Sequence, residues 1–77
     1  MNLPVVNMKQ TGQNICILRE QRGISVRELQ RILGFATPQA IYKWQHGESL
    51  PTIDNLVALS AILSVPIEAI LATSTVA

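Results

Sequence analysis

The sequence predicts an all-α fold of five short helices. Three observations carry that expectation: apolar residues recur at helical spacing, helix-capping and helix-stopping residues punctuate them at short intervals, and no stretch alternates convincingly as a strand. With 77 residues the chain is a single domain at most. A domain of that size buries only about 60% of its unfolded surface or a little more, so close helix packing or a second subunit is needed to stabilise it.

Residues 1–8, including Pro4, show no periodicity and are expected to form an N-terminal arm. Thr11 is a candidate cap for a first helix of about Gly12 to Arg22, which Gly23 would stop. Ser25 followed by Glu28 is a capping box, with the Ser side chain bonding the third helical amide and the Glu reaching back. It opens a second helix that runs to Leu33 and stops at Gly34. Thr37 and Pro38 open a third, because proline at the first helical position gives up only an amide that had no partner, and Gly47 ends it. Thr52 caps a fourth helix to about Leu63, and Pro66 starts a short fifth to about Leu71. The domain thus spans residues 9–71, and residues 72–77 form a flexible tail. Only Gly34, Phe35 and Ala36 separate the second helix from the third, which suits two helices that cross steeply.

Composition excludes several classes. One cysteine, Cys16, permits no intramolecular disulfide, and a single His without clustered Cys offers no metal set. No apolar run approaches the ~18 residues of a membrane span. A cytoplasmic protein without cofactor or membrane partner is expected. An enzyme is not: His46 has no acid near it in sequence except Glu48, Cys16 lacks a local base, and there is no glycine-rich phosphate loop. Cys16 reads as a small packing residue.

Net charge is only +1, yet it is unevenly distributed. Up to Gly47 six bases face two acids, giving +4; from Glu48 onward three acids and no base give −3. At 100° per residue the third helix turns Ala40, Ile41 and Trp44 to one side, and Gln39, Tyr42, Lys43 and His46 to the other. The second set has donors suited to base edges or phosphates and contains no acid. The first helix turns Ile15, Leu18, Arg19 and Arg22 together, so Arg19 needs a partner inside the fold. Gln30 is a second polar residue on an inward face. The fourth helix is apolar around most of its circumference through Ile53, Leu56, Val57, Leu59, Ile62 and Leu63, which points to a face covered by another subunit.

The stretches GQNICILREQRGISVRELQRILGF and TPQAIYKWQHGESLPTIDNLVALSAILSVPIEAIL together resemble the phage repressor and Cro-type helix-turn-helix proteins, the XRE family. The order and spacing of the Leu-Arg pair, Gly-Ile-Ser, Ile-x-x-Trp-x-x-Gly, Pro-Thr and Val-Pro carry the likeness over about four fifths of the chain. The resemblance implies a repressor-like five-helix domain with a central helix-turn-helix. It would bind double-stranded DNA, with the third helix in the major groove. The implied partner is DNA, and the apolar wrap of helices four and five is the candidate interface with a second copy.

The candidate contacts are Ser25 and Arg27 at the second helix, Thr37 and Pro38 at the start of the third, and Gln39, Tyr42, Lys43 and His46 along it. Gln39 suits adenine and Lys43 suits guanine or phosphate. The chain departs from the pattern at Gln45, where the family usually has a glutamate paired with the residue equivalent to Arg19. Here a neutral Arg19–Gln45 pair is expected, with Gln30 as a further candidate member. Val26 stands where a phosphate-contacting glutamine is common, and Glu48 where a base is common. The alternative is a protein-interaction module of antitoxin or anti-repressor type, with weak or lost DNA binding.

Overall fold

The computed structural model describes residues 2–76. Met1 and Ala77, which the arm and tail expectations include, lie outside the described residues. The elements are β1 (Leu3–Val6), α1 (Met8–Gln21), α2 (Val26–Leu33), α3 (Gln39–Gln45), α4 (Ile53–Leu63), α5 (Ile67–Ile70) and β2 (Thr73–Val76). Five helices form the domain, as the periodicity predicts. No helix among the described residues is long and apolar enough to cross a membrane.

The local signals set most helix ends. The Ser25 hydroxyl accepts from Glu28 N–H at 3.0 Å while the Glu28 carboxylate accepts from Ser25 N–H, completing the capping box. Gly34 and Gly47 adopt the left-handed conformation past α2 and α3. Thr52 caps α4 by accepting from Asn55 N–H, and Ser64, also left-handed, ends it.

The first helix departs from expectation. It starts at Met8, capped by the Asn7 side chain on Gln10 N–H, and Thr11 lies inside it fully buried. There the Thr11 hydroxyl oxygen accepts from Ala72 N–H at 3.0 Å, fastening the helix to the far end of the chain. Asn7 N–H in turn donates to Ala72 O, and the segments read as arm and tail pair as antiparallel strands, Leu3 opposite Val76 through Val6 opposite Thr73. Four residues at each end carry too weak a pattern to be read separately; pairing with a segment at the opposite end of the chain makes each a strand.

Ile15, Leu29, Ile41, Trp44, Leu56, Leu59, Leu63 and Ile70 form one core shared by all five helices. At Gly12 α1 lies close against the end of α3, where an added Cβ would collide with the carbonyl oxygens of Trp44 and Gln45. Glycine there lets α1 lie directly on the end of α3. Arg22, at the end of α1, donates through Nε to Leu63 O at 2.9 Å and so satisfies the C-terminal end of α4.

Candidate nucleic-acid interface

The link between α2 and α3 is longer than the sequence suggests. It runs from Gly34 to Pro38, because α3 begins at Gln39. Thr37 therefore does not cap: the N-cap position falls on Pro38, without a side-chain hydrogen bond. Phe35 anchors the link by packing edge-on against Trp44, ring centroids 5.8 Å apart and planes at 70°. Gln30 donates to Phe35 O at 3.2 Å and so fastens the same link. It is not part of an Arg19 cluster; its partner is the link itself.

Arg19 and Gln45 do pair. Arg19 Nε donates to Gln45 Oε1 at 3.0 Å, Nη1 donates to Ile24 O at 2.9 Å, and Nη2 reaches Cys16 Sγ at 3.6 Å. The guanidinium thereby ties α1, the loop before α2, and the last turn of α3 together. Cys16 is half-buried, and its thiol donates to Glu20 Oε1 at 3.2 Å. Burial first, then the Glu20 hydrogen bond and charge, push this thiol above its ordinary value, outweighing Arg19.

With this frame fixed, α3 presents Ile41 and Trp44 to the core, Ala40 half-buried, and Gln39, Tyr42, Lys43 and His46 to the outer side. Tyr42 and His46 stack one turn apart, centroids 6.3 Å apart and planes 23° from parallel. His46 Nδ1 also lies 3.9 Å from Glu48 Oε1, both side chains exposed, so an acid stands at the far end of this face. Gly47 packs against the Lys9 backbone, which brings the start of α1 to the same end.

Across from α3, an open groove of about 450 Å³ is lined by Val26, Arg27, Gln30 and Arg31 of α2 together with Pro38 and Tyr42. Arg27 and Arg31 are one helical turn apart, exposed, and without a hydrogen-bonding or ionic partner among the described residues. Arg31 is not among the sequence candidates; its signal is its position four residues after Arg27. Two of the six bases, Arg19 and Arg22, are instead committed to internal acceptors. At the start of α2 the capping box occupies Ser25, leaving the amides of Val26 and Arg27 directed outward.

A helix-turn-helix family model matches residues 17–70, most of this frame. The chain belongs to the XRE-type helix-turn-helix family. Two solved structures share the family fold. One is the DNA-binding domain of BldD, with a TM-score of 0.72 and 21% identity, covering 86% of this chain and 94% of that one. The other is the S. venezulae BldD DNA-binding domain, also at 0.72 and 21%, covering 86% of this chain and 97% of that one. No curated protein sequence matches the chain. In this XRE-type domain, α2, its five-residue link and α3 form the helix-turn-helix, and α3 turns its polar face outward.

Proposed function

We propose that this chain is a sequence-specific double-stranded DNA-binding transcription regulator of the repressor kind, with α3 laid in the major groove. The observation that carries the reading is one surface: Tyr42 of α3 shares an open groove with Arg27 and Arg31, which have no side-chain partner among the described residues, and no acid lines it; Gln39 and Lys43 are exposed on the same helix. Membership of the helix-turn-helix family and the fold shared with two domains named as DNA-binding support it.

In this reading Gln39, on the first turn, meets a base edge through its amide, and Lys43, one turn later, meets guanine or a phosphate. Tyr42 and His46 lie against sugar and phosphate. Thr37 and Pro38 flank the backbone where α3 enters the groove. The amides after Ser25, with Arg27, face the neighbouring phosphate. One short helix reads only a few base pairs, so the active species is a homodimer on inverted half-sites. Its interface draws on α4 and α5, where Ile53 is 79% exposed and Val57 55%.

A second reading, a protein-interaction module, is favoured by Glu48 beside His46 and by the loss of Arg19 and Arg22 to internal bonds. Selection of bound sequences from a random duplex library, followed by fluorescence anisotropy at two salt concentrations, separates the two. DNA reading gives a recurrent inverted half-site and affinity that falls as salt rises. No salt-dependent binding to any duplex overturns it in favour of the interaction module.

A further inference from the structure

The β1–β2 ribbon lies outside residues 17–70, the stretch that the family model matches. The bond at its base sets its hydrogen-bond phase. Asn7 N–H donates to Ala72 O at 2.8 Å, which makes 7 and 72 a bonded pair. Bonded and non-bonded pairs alternate in an antiparallel ladder. Val5 with Ser74 and Leu3 with Val76 are therefore bonded to each other, whereas Pro4 with Thr75 and Val6 with Thr73 turn their backbone groups outward. Pro4 lacks an N–H just where the ladder requires none.

The two outer edges then differ. On β1 the outward groups are interrupted by the Pro4 ring, which leaves only the Val6 donor. On β2 Thr73 and Thr75 each present an N–H and a C=O, spaced as the next strand would need them. Neither strand contains a charged residue, the usual device that blunts an edge. A two-stranded ribbon is marginal by itself, and this one is held to the domain through Asn7 and Thr11 at the start of α1.

We propose that a second copy of this chain adds to the β2 edge, antiparallel, about a two-fold axis at Ser74. Thr73 then faces Thr75 of the second copy and the reverse. Each outward N–H meets a C=O, making a four-stranded sheet whose central seam is bonded at both Thr73–Thr75 pairs. The occupant is a second copy because the edge is complementary to itself under that rotation, and two uncharged ribbons meet without repulsion. Pro4 blocks both outer edges of the resulting sheet, so the assembly closes as a dimer and does not extend into a fibre. The inference rests on the dimer in the proposed function and adds to it a contact directly continuous with α5; it is independent of what DNA sequence is read.

The test places cysteines in a Cys16→Ser background. Ser74→Cys puts two thiols opposite each other at a non-bonded pair, where Cα atoms about 4.5 Å apart suit a disulfide. Mild oxidation should link this variant into dimers, while Gln21→Cys on the exposed side of α1 should stay monomeric. Thr75→Pro removes one outward donor and leaves the internal ladder intact. By sedimentation equilibrium it should weaken self-association at least tenfold, with the melting temperature of the domain unchanged. Three results overturn the proposal. If Ile53→Cys links while Ser74→Cys does not, the dimer forms through helix four without the sheet. If neither links, there is no dimer of either kind. If Ser74→Cys links but Thr75→Pro associates as strongly as the parent, the outward Thr75 donor makes no bond across the seam.

Discussion

Replacing Gln45 with glutamate should stabilise this domain, and the Arg19 geometry says by how much. Gln45 Oε1 already accepts from Arg19 Nε at 3.0 Å, and both side chains are half-buried, so the new carboxylate needs no rearrangement. The gross attraction of unit charges about 4 Å apart is roughly 4 kcal/mol at an effective dielectric of about 20. Most of that is offset by partial desolvation of the carboxylate. A hydrogen bond to a charged group contributes about 1.5–3 kcal/mol net and a neutral one about 0.5–1.5, which leaves a gain of about 1 kcal/mol. For a domain of this size that raises the melting temperature by about 4–8 °C.

The gain has a pH signature. Arg19 depresses the folded pKa of the introduced carboxyl below its unfolded value of about 4.3. The added stability is therefore fully present above that value and is lost as pH falls through the folded pKa. Thermal or urea melts of Gln45→Glu and parent at pH 7 and pH 3 measure it. A variant less stable than the parent at pH 7, or a difference equal at both pH values, would refute the Arg19 account.

Other consequences follow from the same contacts. Gly12→Ala drives a methyl into the Trp44 and Gln45 carbonyls and should cost at least about 1–3 kcal/mol in a denaturant melt. Gln39→Ala should weaken the selected duplex by about 1–3 kcal/mol and relax preference at one base pair. Arg31→Gln should instead weaken all duplexes alike and lower the salt slope by about 0.9. An unchanged slope would mean that Arg31 contacts no phosphate. The Cys16 thiol, raised by burial and Glu20, should be alkylated by iodoacetamide with a pH midpoint above its ordinary 9.0. Glu20→Gln should move that midpoint down. Because the folded pKa is raised, this thiol's contribution to stability is intact below pH ~9 and declines as pH rises further.

The candidate site is legible where its causes are local. Gln39, Tyr42, Lys43 and His46 share an outer face because 100° per residue places them there whatever the helix packs against. Arg19 and Gln45 can be paired only through the family pattern, since 26 positions separate them. The start of α3 moves from its expected place because Thr37 and Pro38 are compatible with either a cap or a link. Phe35 on Trp44 and Gln30 on Phe35 O decide for the link. Arg31 shares a helix face with Arg27 by its four-residue spacing, but only the opposite wall of the groove, Pro38 and Tyr42, makes that face part of the candidate site.

What the sequence determined by itself is the set of five helices, the capping box at Ser25 and Glu28, the stops at Gly34 and Gly47, and the division of α3 into two faces. These rest on hydrogen bonds between residues three or four apart and on helical periodicity, both written in the chain locally. Only the tertiary structure decided where α1 begins, because Asn7 and Thr11 are equally good caps until Ala72 bonds to both. The same holds for the β1–β2 ribbon and for Arg22 on Leu63 O, contacts that span 41 positions or more. A bond of that span leaves no pattern in either segment, because each partner is satisfied only when the packed core brings the other to it.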